Sequence, residues 1–315
     1  MPKVSVIIPT YNRAAFLRST ITSVLNQTFQ DFEIIVIDDA SQDHTREVVN
    51  SLNDKRIRYI CHERNKGVAA ARNTGIVNAK SDYIAFLDDD DEWFPEKLQK
   101  QFNLLESCPP TIGVVYTGSL RIEESSKKIL SKIFPKNRGD IFDEILTTNR
   151  AADTSTIFLR KQCFEKVGLF DEDLHFGEDY DMWLRISKEF HFEYINEPLI
   201  NKYLLCNGQP SLTHNYESVI RNIEMLLKKH APLLASNNKG HSGRYRELGE
   251  IYCCTGDIRK GREAFIKAIK LYPLGIKHYY SLFLSLLGAK NFKKFKECKD
   301  RTILRLRESF GFICV

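Results

Sequence analysis

The stretch SDYIAFLDDDDEW, residues 81–93, decides the fold. Its first half, DYIAFL at 82–87, is a short apolar run of the kind found in sheets buried on both faces. It passes directly into four consecutive aspartates, Asp88, Asp89, Asp90 and Asp91. Adjacent carboxylates at a strand end repel one another and desolvate poorly, a cost that a cation offsets. All-oxygen carboxylate ligation suits Mg2+ or Mn2+, which commonly bridge one or two carboxylates to the oxygens of a diphosphate. The competing reading is a solvated acidic turn ahead of a helix beginning at Pro95, where negative charge is favoured in any case.

Working outward, KVSVII (3–8) and FEIIVI (32–37) are β-branched runs, and IGVVY (112–116) is nearly as apolar. Helical patterns lie between them: Phe16, Leu17, Ile21, Val24 and Leu25, then 68–79, then 95–107. Alternating strands and helices imply right-handed crossovers and a mostly parallel twisted sheet flanked by helices, an α/β fold. In such a sheet, ligands bind beyond the carboxyl ends of the strands. Pro9, Thr10, Tyr11, Asn12 and Arg13 follow the first strand, Asp38 and Asp39 the second, and the aspartate run the strand at 82–87. Three polar groups therefore land on one edge. Asp39 suits a base N–H or a ribose hydroxyl, and Arg13, Lys66 or Arg72 suit phosphates. Helix capping by Asp39, Ser41 or Asp43 is the structural alternative. No dinucleotide fingerprint or P-loop occurs, so a nucleotide must be held differently.

Beyond residue 118 the rhythm becomes α+β, with a polar stretch at 121–128, a strand-like TSTIFL at 154–159, and two helical pieces, KQCFEKVG and EDYDMWLRISKEF. From about 215 onwards only helical periodicity is visible, interrupted by ASNNKGHSG at 235–243, which reads as a loop and a boundary. The expected organisation is a domain at 1–214, divided into a nucleotide-binding half (1–118) and an acceptor half (119–214), followed by a small all-helical region at 215–315. Charge follows the same division. Residues 215–315 hold 20 Lys+Arg against 9 Asp+Glu, whereas 1–214 hold 26 against 32. The basic tail is suited to nucleic acid, anionic lipid or an acidic protein. Eight cysteines without a C-x-x-C pair indicate neither a zinc site nor a disulfide framework. No run approaches the roughly 18 apolar residues of a membrane span, and the first residues lead straight into a core strand, so the expected location is the cytoplasm.

Four blocks carry a family resemblance: VSVIIPTYNR (4–13), QTFQDFEIIVIDDASQD (27–43), NKGVAAARNTGIVNAKSDYIAFLDDDDEW (65–93) and GLFDEDLHFGEDYDMWLR (168–185). In this order they resemble glycosyltransferase family 2, over about the first 205 residues. The resemblance implies a GT-A fold and an inverting transfer of a sugar from a nucleotide-diphosphate donor, most often a UDP-sugar, with Mn2+ or Mg2+. Pro9, Thr10, Tyr11 and Arg13 would cradle the nucleotide, together with Lys66 and Gly67, and Asp39 would read the base. Asp88 and Asp90 would form the D-x-D pair, with Asp90 the direct metal ligand, Asp89 near the ribose and Arg72 beside the phosphates. The catalytic base would come from Glu178-Asp179, with Asp179 preferred. One block departs: where members often carry Tyr-Arg-x-His, this chain has Tyr203-Leu204-Leu205-Cys206, with Lys202 or His214 as substitutes.

In the tail, Tyr245, Leu248, Gly249, Tyr252, Phe265, Ala268 and Pro273 resemble a single tetratricopeptide repeat at about 242–275, with Gly261 where a small residue is wanted. One such repeat must pack on something else. An aromatic stretch at 279–287, followed by lysines at 290, 293, 294, 296 and 299, suits an interfacial helix at an anionic leaflet, or a helix packed on the repeat with its lysines solvated. Nucleic acid is disfavoured for want of a reading motif. The leading expectation is a bacterial-type transferase building a surface or secreted glycan on a glycan or lipid-linked acceptor, peripheral at the inner face of the membrane, with a protein partner as another use of the tail. The alternatives are a nucleotidyltransferase and a degenerate scaffold acting through its helical tail.

Overall fold

A computed structural model describes residues 1–148, 152–204 and 216–295. The chain divides into two compact units. The first comprises Met1–Ile141, Ala152–Asp173 and Asp181–Gly208, and the second Phe142–Ala151, Leu174–Tyr180 and Gln209–Val315.

The first unit is a mixed α/β sheet. Strands β1 (Val4–Thr10), β2 (Phe32–Asp38), β3 (Ile57–Cys61) and β4 (Tyr83–Phe86) lie in the order β3-β2-β1-β4, all parallel. Every residue of β1 and β2 is buried, as expected of β-branched strands covered by helices on both faces. Helices α1 (Ala14–Leu25), α2 (Thr45–Ser51) and α3 (Val68–Asn78) form the crossovers. Small residues let α3 approach the sheet closely: Ala69, Ala70 and Ala71 are buried, and a Cβ at Gly75 would run into Ile7 of β1.

The sheet continues from β4 through β8 (Phe158–Arg160) and β6 (Ile112–Glu123), which pair antiparallel, to β9 (His191–Leu204), which runs parallel to β6. Strand β7 (Ile129–Ile133) hangs from β6. At the far edge β5 (Asp91–Trp93) pairs antiparallel with β9, in the register Asp91↔Lys202. The competing reading of the four aspartates as one solvated acidic turn is corrected here. Asp91 leaves the turn, enters a strand and is fully buried, because β9 offers it a ladder partner. The strand-like TSTIFL likewise divides into a 3-10 turn, Thr154–Thr156, and the short β8. Helix α4 (Lys97–Ser107) begins two residues past Pro95.

The second unit is helical: α5 (Phe142–Thr148), α8 (Tyr216–Lys229), α9 (Ala231–Ala235), α10 (Asn238–Thr255), α11 (Ile258–Leu271) and α12 (Ile276–Ser285). Between α5 and α8 in the chain come α6 (Gln162–Val167) in the first unit and α7 (Glu178–Glu189), whose first turn the second unit claims. The expected loop at 235–243 is in fact the start of α10. Asn237 caps it by accepting from the Gly240 N–H at 2.9 Å, so the Asn/Gly-rich composition marks a helix N-terminus. Helices α10 and α11 pack against each other in the stretch that resembles a tetratricopeptide repeat. Their backbones meet closely at two glycines, since a Cβ at Gly249 would lie 2.9 Å from Gly261 O and one at Gly261 would lie 3.0 Å from Gly249 O.

Candidate active site

The carboxyl ends of β1, β2 and β4 meet through a chain of hydrogen bonds. Asp39 N–H donates to Thr10 O at 2.9 Å, tying the end of β2 to the end of β1. Asn12 takes a left-handed turn (φ 53°), and its carboxamide oxygen accepts from Gln42 N–H at 2.8 Å. Asp43 accepts from Ala14 N–H at 3.1 Å, so the first turn of α1 is capped from the loop after β2. Pro9 and Thr10 end β1, whereas Tyr11 stands 45% exposed beyond it, available to a ligand face.

Asp39 is buried, and its carboxylate accepts from Lys66 N–H at 2.9 Å and Gly67 N–H at 2.7 Å; His62 Nδ1 lies 2.7 Å from the same group. Gly67 holds φ +92° at the start of α3, a conformation that favours glycine, and the negative charge of Asp39 sits at that helix N-terminus. The capping alternative thus describes Asp39 in this structure, although it caps α3 from another strand rather than its own helix. A carboxylate offers roughly four acceptor positions, which leaves little beyond these three for a ligand. Lys66 is exposed, with its backbone pinned and its ammonium directed by no ion pair among the described residues.

The aspartate run is surrounded by cations that belong to the protein. Arg13 Nη1 lies 3.1 Å from Asp90 Oδ2, and the buried Arg72, projecting from α3, lies 3.0 Å from Asp88 Oδ1. Lys202 Nζ stands 3.5 Å from Asp91, 3.8 Å from Asp153 and 4.0 Å from Asp88. Ser155, in the 3-10 turn, donates its hydroxyl to Asp91 Oδ2 at 2.7 Å and accepts from Asp88 N–H at 3.1 Å. Its carbonyl receives the Trp93 indole N–H at 3.1 Å. Thr20 from α1 donates to the Asp89 carbonyl at 2.9 Å.

This arrangement separates the four carboxyls electrostatically. Burial acts to raise Asp88, but Arg72 and Lys202 outweigh it and hold the group below its ordinary value. Burial, with the neighbouring carboxylates, pushes Asp89 up to about 7 and Asp91 up to about 8, and raises Asp90 as well. Lys202 is held above its ordinary value: burial works against its charge, yet Asp91, Asp153 and Asp88 prevail. The requirement for a neutralising cation is therefore met in part from within the chain. Among the described residues no group of three or more His, Cys, Asp or Glu side chains is placed to hold a metal. Asp90 and Asp88 keep 26% and 30% of their side chains exposed, so they fit a cation held by one or two carboxylates and completed by substrate oxygens, not a closed protein cage.

Glu178 and Asp179 open α7, in the segment that belongs to the second unit. Gly177 precedes them with φ +77°, and a Cβ there would lie 2.8 Å from Leu226 of α8. Asn222, also on α8, accepts from His175 N–H at 2.8 Å, so the approach to this helix is fixed by α8. Glu178 is buried, and Asp179 is half-buried with Oδ1 accepting its neighbour's N–H, from Tyr180, at 2.7 Å. Both carboxylates sit in the first turn, where the helix dipole favours them.

Sequence reasoning named Lys202 only as a substitute and gave no role to Ser155 or His62. Lys202 reaches the aspartates through the β5–β9 pairing, and Ser155 through a turn that composition presents as strand. His62 lies at the end of β3, a strand with no clear apolar signal. Leu204 ends β9, while Leu205, Cys206 and His214 lie outside the described residues.

Comparison with known proteins adds to this geometry. The family model described as Glycosyl transferase family 2 matches residues 5–168. An uncharacterized glycosyltransferase of Rickettsia prowazekii is 34% identical over 203 residues, covering 63% of this chain and 63% of the relative's own length. S. aureus TarS 1-349, solved in complex with UDP-GlcNAc, superposes with a TM-score of 0.57 at 18% identity, covering 95% of this chain and 92% of that one. The mannosyltransferase PcManGT from Pyrobaculum calidifontis, solved with GDP-Man and Mn2+, gives 0.58 at 15% identity, covering 94% and 88%. At these identities the two structures speak for a GT-A-like fold alone.

Proposed function

Because the chain belongs to glycosyl transferase family 2, we propose that it is an inverting transferase that moves a sugar from a nucleotide-diphosphate donor to an acceptor hydroxyl in glycan biosynthesis. The observation that carries this reading is the convergence of Thr10 to Arg13, Asp39 and Asp88 to Asp90 at the carboxyl ends of three adjacent parallel strands. TarS has been solved with UDP and UDP-GlcNAc and PcManGT with GDP-Man, which makes a uridine donor the first to try and a guanosine donor the second.

In this reading the exposed Tyr11 offers its ring to the base, and Pro9, Thr10, Lys66 and Gly67 shape the nucleotide cleft around Asp39. Arg13 and Arg72, now engaged by Asp90 and Asp88, turn toward the diphosphate as it binds. Asp90, with Asp88, holds Mn2+ or Mg2+, the PcManGT complex with Mn2+ being the supporting precedent; the ion supplies charge neutralisation for the departing diphosphate. Asp89 receives the ribose. Asp179, assisted by Glu178, accepts the proton of the acceptor hydroxyl as that oxygen attacks the anomeric carbon opposite the leaving group. The acceptor is a glycan or a lipid-linked sugar.

The test is a melting-temperature panel of nucleotide sugars with Mn2+ and with chelator, followed by transfer assays. A shift with one donor that requires Asp90, and a transfer rate lost in Asp179→Asn while donor binding persists, is the expected result. No shift with any donor would overturn the donor reading, and an undiminished rate in Asp179→Asn would remove it as the base.

A further inference from the structure

Helix α12 fully buries polar residues and leaves a row of large apolar ones exposed. Leu282 and Leu284 are partly buried against Cys253, Phe265 and Phe292, but its most deeply buried residues are polar, His278, Ser281 and Ser285 each being 5% exposed or less. They meet polar partners on the hairpin, with His278 Nε2 at 3.0 Å from Ser242 Oγ, Ser281 Oγ donating to Glu250 at 3.2 Å, and Arg262 donating to Ser285 O at 3.0 Å. The face pointing away from the hairpin is apolar. Ile276, Tyr279, Phe283, Leu286 and Leu287 follow one another at helical spacing and are 82%, 47%, 62%, 61% and 45% exposed. A helix normally buries its apolar stripe and solvates its polar one, so this arrangement costs hydration free energy unless the outer face is covered.

The charge around the stripe indicates what covers it. Lys277, Lys290, Lys293 and Lys294 are all exposed, and residues 274–295 contain no Asp or Glu. A second copy of the chain meeting this face would bring four lysines against four lysines, a like-charge contact that opposes association. An anionic bilayer surface supplies the complement on both counts: acyl chains at shallow depth for the aliphatic and aromatic stripe, and phosphate headgroups for its basic rim.

Independently of the acidic site, we propose that α12 and residues 289–295 form a peripheral docking surface for an anionic membrane. The full chain should sediment with vesicles of phosphatidylcholine and phosphatidylglycerol and stay in the supernatant with phosphatidylcholine alone. Phe283→Glu combined with Leu286→Glu should abolish sedimentation with unchanged melting temperature, since both side chains point outward. Lys293→Gln with Lys294→Gln, which leaves the stripe intact, should weaken vesicle binding roughly thirtyfold. Equal sedimentation with neutral vesicles, or none with either, would overturn the proposal. So would light scattering that reveals a self-associated form dispersed by the Phe283 and Leu286 substitutions, because the stripe would then be an interface between proteins.

Discussion

Lys202 Nζ lies 3.5 Å from Asp91 Oδ2 at the one place where the edge strand β5 and the long strand β9 bring them into register. This pair places a permanent protein cation among carboxylates that a metal-bound donor would also have to satisfy. Asp91 is fully buried and Lys202 retains 26% of its side-chain exposure, so each depends on the other for compensation.

Replacing Lys202 with Met should therefore destabilise the first unit by about 1–3 kcal/mol, less than the roughly 3–5 kcal/mol for breaking a fully buried pair, since Lys202 is still partly solvated. Urea denaturation measures this. Mn2+ should also raise the melting temperature of Lys202→Met more than that of the unaltered chain, because the lost ammonium leaves Asp88 and Asp91 short of positive charge. An identical Mn2+ response in both proteins would show that the ion and the lysine act on different groups.

Ser155 serves two aspartates at once, donating to Asp91 and accepting from the Asp88 backbone. Ser155→Ala removes only a hydroxyl, yet it leaves the buried Asp91 carboxyl and the Asp88 N–H without their partner, so a loss of roughly 1–3 kcal/mol is expected. Donor affinity, read by titration calorimetry, should fall as well, because the turn that orients Asp88 loosens. Unchanged stability and affinity would mean that water replaces the hydroxyl at no cost.

Glu33 provides a pH probe remote from the acidic run. Its carboxylate accepts from Ser5 Oγ at 2.7 Å, Lys80 N–H at 2.8 Å and Arg58 Nη1 at 2.8 Å. Burial would raise its pKa, but these donors outweigh it and hold the group below its ordinary value. A folded-state pKa below the unfolded one contributes stability above the unfolded value, and that contribution is lost as pH falls through the folded pKa. Glu33→Gln should accordingly be less stable than the parent at neutral pH, with the gap closing in acid below the ordinary carboxylate range. Parallel melting curves across pH test the convergence.

Two glycines of the second unit should respond in opposite directions. A Cβ at Gly261 would run into Cys253 Sγ and approach Gly249 O to 3.0 Å, so Gly261→Ala should cost about 1–3 kcal/mol by overpacking the hairpin. A Cβ at Gly243, inside α10, meets only Thr147 O at 3.8 Å. There the better helix propensity of alanine should stabilise by up to about 1 kcal/mol. Thermal melting of the pair distinguishes packing from propensity.

The sequence alone was sufficient for the parallel half of the sheet, because β1 and β2 are continuous β-branched runs buried on both faces, and for the placing of Pro9 to Arg13, Asp39 and the aspartates at strand ends. For α10 and α11 the sequence offered a resemblance to one tetratricopeptide repeat, with Gly249 and Gly261 at the close approach of the two helices, but it missed the start of α10 at Asn238. These features arise from local periodicity and strand order, which a linear pattern records. What only the tertiary structure decided depends on residues far apart in the chain. Asp91 and Lys202 are joined by ladder pairing, Ser155 reaches the aspartates from a turn, and Asp39 accepts from Gly67 N–H, 28 residues later, at the start of α3. Helix α12 shows the same limit. The sequence showed an aromatic apolar stretch at 279–287, but which of its residues turned outward depended on the polar partners that His278, Ser281 and Ser285 find across the hairpin, and hydrogen bonds of that range leave no periodic trace in the sequence.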